Sequence, residues 1–142
     1  MYIYIRSMSE AQSKIYDKIT AQSREIVKHI IKLILYPGCS YIDHWQHEIY
    51  SFLNYVPKLK SNNKLPKEKF ISKCLKVNND CLDNCIWQVM DEEYELDAAS
   101  VDIQLIEEVV NNYQNWLAHE LATKGAVAPR QVKAKLSELT CS

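Results

Sequence analysis

The chain has 142 residues, of which 47% are hydrophobic and 25% charged, a balance that suits one globular domain with its own core and excludes a chain dominated by disorder. Two glycines and four prolines are too few for a fold built on hairpins, and they exclude a glycine-rich phosphate cradle. A net charge of −1 neither favours nor excludes nucleic acid, so the distribution of charge has to decide.

Residues 1–8 (MYIYIRSM) carry only a short apolar run, too short for a signal core or a membrane span. They read as a loose N-terminal arm or a short strand. Ser9 with Gln12 has capping-box spacing. Ile15, Ile19, Ile26, Ile30, Leu33 and Ile34 then recur at helical steps with one seven-residue gap, so one long helix, or two nearly collinear ones, is expected over 9–36. Lysines and arginines at 14, 18, 24, 28 and 32 fill its other faces. Pro37 and Gly38 end it.

A second helix should start at Ser40, with Asp43 at the third helical position. Ile42, Trp45, Ile49, Phe52, Leu53 and Val56 form its stripe, and Pro57 closes it. PKLKSNNKLP reads as a polar loop. Pro66 suits the first residue of a third helix, with Phe70, Ile71, Cys74 and Leu75 inward. Asn78, Asn79 and Asp80 look like a break and a new cap, followed by a fourth helix carrying Leu82, Cys85, Ile86, Val89 and Met90. DEEYELDAAS is a connection in which Tyr94 and Leu96 plug the core edge. Ser100 caps a long fifth helix with Ile103, Ile106, Val110, Tyr113, Leu117 and Leu121 inward and Trp116 on the flank. Lys124 and Gly125 are suitable end residues. The tail over 126–142 carries a short last helix from Pro129, with Val132, Leu136 and Leu139. The expected fold is all-α: a single-domain bundle of five or six helices over 1–142, with the long first and fifth helices as scaffold and Trp45, Phe52, Phe70, Ile86, Tyr113 and Leu117 in the core.

Charge is polarised along the chain. Residues 58–76 hold seven lysines and one acid, Glu68, whereas 80–120 hold eleven acids and no lysine or arginine. Such polarity steers charged partners, or gives two solvated faces. Lys58, Lys60, Lys64, Lys67, Lys69 and Lys73 are the nucleic-acid candidates, since each phosphate contact adds affinity through counterion release. The segment has no arginine for base-edge forks. Arg130, Lys133 and Lys135 sit on a last helix too short to act as a recognition helix alone.

YIDHWQHEIYSFL, residues 41–53, sets His44 and His47 three apart. That spacing shares a helix face and can hold one transition metal, with Cys39 just upstream as a third candidate ligand. The core stripe runs elsewhere: on helix geometry His44 lies about 100° from Trp45 and His47 about 160° from Ile49. Solvated rim histidines are therefore the competing reading. Cys81 and Cys85 form C-x3-C with Cys74 upstream. The spacing is not that of a zinc knuckle, and buried structural thiols are the simpler reading. Five cysteines, an odd number, and no signal segment place the chain in the cytoplasm with reduced thiols. No nucleophile-elbow, P-loop or dinucleotide motif occurs. Cys39 with His29 or His44 is a pair that five cysteines and four histidines offer by chance. No catalytic residue and no cofactor are implied.

HIIKLILYP at 29–37, HW at 44–45 and EIYSFL at 48–53 resemble the core of a bacterial family of all-helical domains, domain-of-unknown-function family 29, chiefly over 25–70. Where the family's second helix is arginine-rich, this chain has His47 and Glu48. The resemblance implies a bacterial or mobile-element origin and a helical fold, and no catalytic residue. Together these features point to a non-enzymatic macromolecular interaction module, with an unknown protein partner or a second copy as its ligand, and no membrane. A nucleic-acid-associated protein and a metal-binding protein are the alternatives.

Overall fold

A computed structural model describes the backbone of residues 2–140 and the side chains of 10–138. Within these residues the chain is all-helical: α1 (Tyr2–Leu35), α2 (Ile42–Asn62), α3 (Lys67–Cys74), α4 (Lys76–Asp80), α5 (Leu82–Glu92), α6 (Ile103–Lys124) and α7 (Pro129–Thr140). Seven helices stand where five or six were expected. The added one is α4, a single turn in the place expected to be a break. Val77 is buried there, and this anchors the turn against the core; the break falls one residue later, at Cys81, whose φ of −153° leaves the helical region.

α1 is the central helix and touches α2, α3, α4, α5 and α6. Its helical backbone starts at Tyr2, so the Ser9 cap expected from sequence lies inside the helix. Ile19, Ile26, Val27, Ile30, Ile31 and Leu35 are buried, while Ile15, Leu33 and Ile34 are half-buried against the same core. Neighbours on several sides bury more than one stripe, which is why Ser23, His29 and Lys32 are buried too. α6 is the second scaffold element, packed on α1, α3 and α7. Ile106, Val110, Tyr113, Leu117 and Leu121 are buried on it, but Ile103, expected inward with them, is exposed in the first turn. Its N-cap is Asp102, not Ser100: the Asp102 carboxylate accepts from the Gln104 N–H at 3.0 Å. Gly125 ends it at φ 78°, the left-handed conformation that glycine adopts without steric cost.

Pro57 does not close α2. It lies inside the helix, which runs on to Asn62. Proline removes one intrahelical donor and disfavours its own preceding turn, but Leu53 and Val56 on that turn are buried and hold it in place. The helix ends instead in a Schellman motif. Lys64 takes φ 50°. The Leu65 N–H donates to the Lys60 carbonyl at 3.2 Å, and the Lys64 N–H to the Ser61 carbonyl at 3.4 Å. Leu65 is buried as the apolar member of the motif. Most of the expected polar loop is therefore helix.

Trp45, Phe70, Ile86, Tyr113 and Leu117 are core residues as expected. Phe52 is half-buried instead, its ring edge-on to His29 at 5.5 Å. The connection after α5 folds back over the end of α1. The Ala99 N–H donates to the Leu35 carbonyl at 2.6 Å, capping an otherwise open helix end. Leu96 packs on the core from this strap, but Tyr94 does not: it is 77% exposed. No helix among the described residues is long and apolar enough to cross a membrane.

Candidate functional site

Three lysine and arginine positions on α1 build the floor of the site. Arg24, Lys28 and Lys32 are spaced four apart and so share one side of the helix. α5 lies against that side and brings Gln88 and Glu92, also four apart, followed by Glu93. Arg24 donates to Gln88 Oε1 at 2.8 Å and to Cys81 Sγ at 3.2 Å. Lys28 pairs with Glu92, and Lys32 bridges Glu92 at 3.4 Å and Glu93 at 3.2 Å. Burial alone would raise the Glu92 pKa, but the Lys28 hydrogen bond and the charges of Lys28 and Lys32 outweigh it and hold the carboxyl below its ordinary value. The acidic end of α5 is thus pinned to the basic side of α1.

At this junction lies an open cleft of about 430 Å³, lined by His29, Lys32, Tyr41, His44, Trp45 and the run 92–96. Lys32 Nζ stands 5.9 Å from the Trp45 ring centre. His29 sits 2.7 Å from the Glu25 carbonyl through Nδ1. A carbonyl only accepts, so Nδ1 carries the proton and Nε2 is the ring's acceptor. Nε2 has no hydrogen-bond partner among the described residues. Burial lowers the His29 pKa, with the backbone bond to Glu25 opposing and the Lys32 charge assisting. The cleft therefore holds a neutral imidazole acceptor beside carboxylates and a Trp45 ring that Lys28 and Lys32 already engage.

The outer side of α5 adjoins this cleft. Trp87 is 60% exposed and Met90, three residues on, is 37% exposed; Tyr94 follows in the turn. Ile86 and Val89 face inward. Asp83, Asp91 and Glu95 are exposed beside these apolar groups. An exposed Trp and Met in an acidic frame is the composition of a docking surface for a basic, partly apolar segment.

The sequence candidates fall in separate places. His44 is exposed, 3.9 Å from Glu48, and lines the cleft with His29. His47 is exposed, and its carbonyl accepts from Ser51 Oγ at 3.3 Å. Cys39 lines a neighbouring cleft with Leu35, Tyr36 and Leu96, and its sulfur accepts from the Tyr41 N–H at 3.3 Å. The fold does not bring Cys39, His44 and His47 to one point, and among the described residues no group of three or more His, Cys, Asp or Glu is placed to hold a metal. The lysines are divided. Lys58, Lys64, Lys67 and Lys69 are exposed, Lys60 and Lys73 half-exposed. Lys69 and Lys73 stand 4.8 and 5.8 Å from the Tyr16 ring centre, and Lys60 is 5.9 Å from that of Phe70. Part of the lysine charge is thus spread over aromatic faces.

The sequence offered His29 only as a chance partner of Cys39, because its place on an apolar-rich helix looks like any core position, and the structure instead puts it in the cleft beside Lys32 and His44. Sequence reasoning missed that Arg24, Lys28 and Lys32 meet α5. The available signal was their four-residue spacing, matched by Gln88 and Glu92. No protein-family model, curated protein or solved structure matches this chain.

Proposed function

We propose that the protein is a non-enzymatic interaction module that docks a basic, partly apolar protein segment on the outer side of α5 and the cleft beside it. The observation that carries this reading is the exposure of Trp87 beside Met90 and Tyr94. A Trp this exposed leaves a large apolar area in water, which burial against a partner would remove. Trp and Tyr are also the side chains that most often dominate interface energetics. The partner favoured by charge is a second copy of the chain, because Lys58, Lys64, Lys67 and Lys69 give each molecule an exposed basic end opposite in sign to its α5 side. A two-fold pair would satisfy both contacts at once. Sedimentation equilibrium tests it: a dimer that weakens with salt and is lost in Trp87→Glu supports the proposal, and a monomer at all concentrations removes the second copy as partner.

A nucleic-acid role is the second reading, favoured by the exposed lysines around the end of α2 and the start of α3. Binding to double-stranded DNA or RNA at low salt that is lost in a Lys58→Glu, Lys64→Glu, Lys67→Glu variant would support it. Binding unaffected by that variant would exclude it.

A further inference from the structure

Cys81 and Cys85 have a setting that the docking surface does not explain. Cys81 is the N-cap residue of α5, and Cys85 closes the first turn with its N–H on the Cys81 carbonyl at 3.2 Å. Residues four apart on a regular helix hold their β-carbons about 5–6 Å apart, too far for a disulfide, but Cys81 leaves helical geometry with φ −153° and its thiol interacts with that of Cys85. Cys81 is half-exposed and lines an open polar cleft of about 370 Å³, whereas Cys85 is buried. The Arg24 guanidinium donates to Cys81 Sγ at 3.2 Å. A thiol attacks an oxidant as its thiolate, and Arg24 is the cation placed to pair with it.

The geometry points to Cys81 as a site of oxidation by a small hydroperoxide, with Cys85 as the resolving thiol that converts it to a disulfide between the N-cap and the first turn of α5. The roles follow from position. Cys81 meets the cleft and the guanidinium. Cys85 is held as a thiol, because burial raises its pKa, with Arg24 opposing and Cys81 assisting. In the first step the Cys81 sulfur attacks one peroxide oxygen. The O–O bond breaks, Cys81 becomes a sulfenic acid, and the leaving hydroxide or alkoxide takes a proton. In the second, the Cys85 sulfur attacks the Cys81 sulfur and the S–O bond breaks. The hydroxyl leaves as water with the Cys85 proton. The two sulfurs together lose two electrons and the peroxide gains them. The cleft selects the oxidant. Asp80, Asp83 and Glu107 line it with Cys81, and these carboxylates disfavour an anionic disulfide such as oxidised glutathione while leaving neutral hydrogen peroxide unaffected.

The test is titration of the full chain with hydrogen peroxide, followed by peptide mass mapping without reductant. The expected product is a Cys81–Cys85 disulfide, lighter by two hydrogens and reversed by dithiothreitol. Cys85→Ser should stop at a Cys81 sulfenic acid that dimedone traps. Arg24→Gln should slow the reaction by roughly tenfold, the scale of one charge-assisted hydrogen bond. Circular dichroism confirms that each variant is folded, and a Cys85→Ala variant replaces Cys85→Ser if that one is not. Oxidation that starts at Cys39, Cys74 or Cys141 while the 81–85 peptide stays reduced overturns the inference. So does an Arg24→Gln rate equal to the parent's, or oxidised glutathione reacting at Cys81 faster than peroxide.

Discussion

Replacing Lys64 with glycine should make the protein more stable, although it deletes an exposed charged side chain and adds a flexible residue. Lys64 holds φ 50° at the end of α2, and it is the one non-glycine residue with positive φ among those described. The conformation is imposed by the two hydrogen bonds that close the helix and by burial of Leu65 beside it. A side chain with a Cβ pays about 1–2 kcal/mol to sit in the left-handed region. Glycine does not, but its unfolded chain gains about 0.4–1 kcal/mol of conformational freedom. The difference leaves Lys64→Gly more stable by roughly 0.5–1 kcal/mol, or about 2–4 °C in Tm for a domain near this size. Lys64→Asn should fall between lysine and glycine, and Lys64→Val, β-branched in a region that excludes it, should lose about 1 kcal/mol or more. Urea unfolding followed by circular dichroism at 222 nm measures the series. A Lys64→Gly variant less stable than the parent, or a Lys64→Val variant equal to it, would refute the Schellman geometry and with it the continuation of α2 past Pro57.

The Tyr113 hydroxyl is buried with no hydrogen-bond partner among the described residues, so Tyr113→Phe should be neutral to stabilising by up to about 1 kcal/mol in chemical unfolding; a loss of about 1 kcal/mol would mean the hydroxyl is bonded. Burial pushes the Cys74 thiol from 9.0 up to about 12, with Ser23 opposing. A raised folded pKa contributes stability that is complete below pH 9.0 and is lost as pH rises towards the folded value. Cys74→Ala should therefore flatten the alkaline limb of stability against pH by about 1.4 kcal/mol per pH unit, and an unchanged slope would contradict its burial. Burial depresses the pKa of His29 below 6.5, so its contribution is present above pH 6.5 and is lost as pH falls through the folded value. His29→Gln should be less acid-sensitive than the parent between pH 6.5 and pH 5, measured as the change in urea midpoint.

Periodicity made α1, α6 and most of the core legible, because buried isoleucines and leucines at three- and four-residue steps have few other uses. The end of α6 was legible from Gly125 for the same reason: few residues take its φ. Pro57 misled because its local cost is real, and only burial of Leu53 and Val56 outweighs it. Such tertiary compensation leaves no mark in a sequence window. α4 was illegible since Asn78, Asn79 and Asp80 favour caps and turns by their own side chains, and one buried valine suffices to hold a single turn. Of the site, the off-stripe position of His44 and His47 followed from angle alone. The pairing of Arg24, Lys28 and Lys32 with α5 did not, because it depends on which helix lies beside α1. Tyr94 was expected to plug the core and instead stands exposed, since Leu96 occupies the inward position of the strap. The polarity of charge was plain in the sequence, and the apolar groups that share its acidic side became visible only once α5 turned Ile86 and Val89 inward.

The docking role of α5 is tested most directly by sedimentation equilibrium of the parent and of Trp87→Glu, each at low and at high salt. The parent should be a dimer at low salt, weakened at high salt, and Trp87→Glu a monomer under both conditions with an unchanged circular dichroism spectrum. A parent that stays monomeric throughout, or a Trp87→Glu variant that dimerises as the parent does, would contradict that docking role.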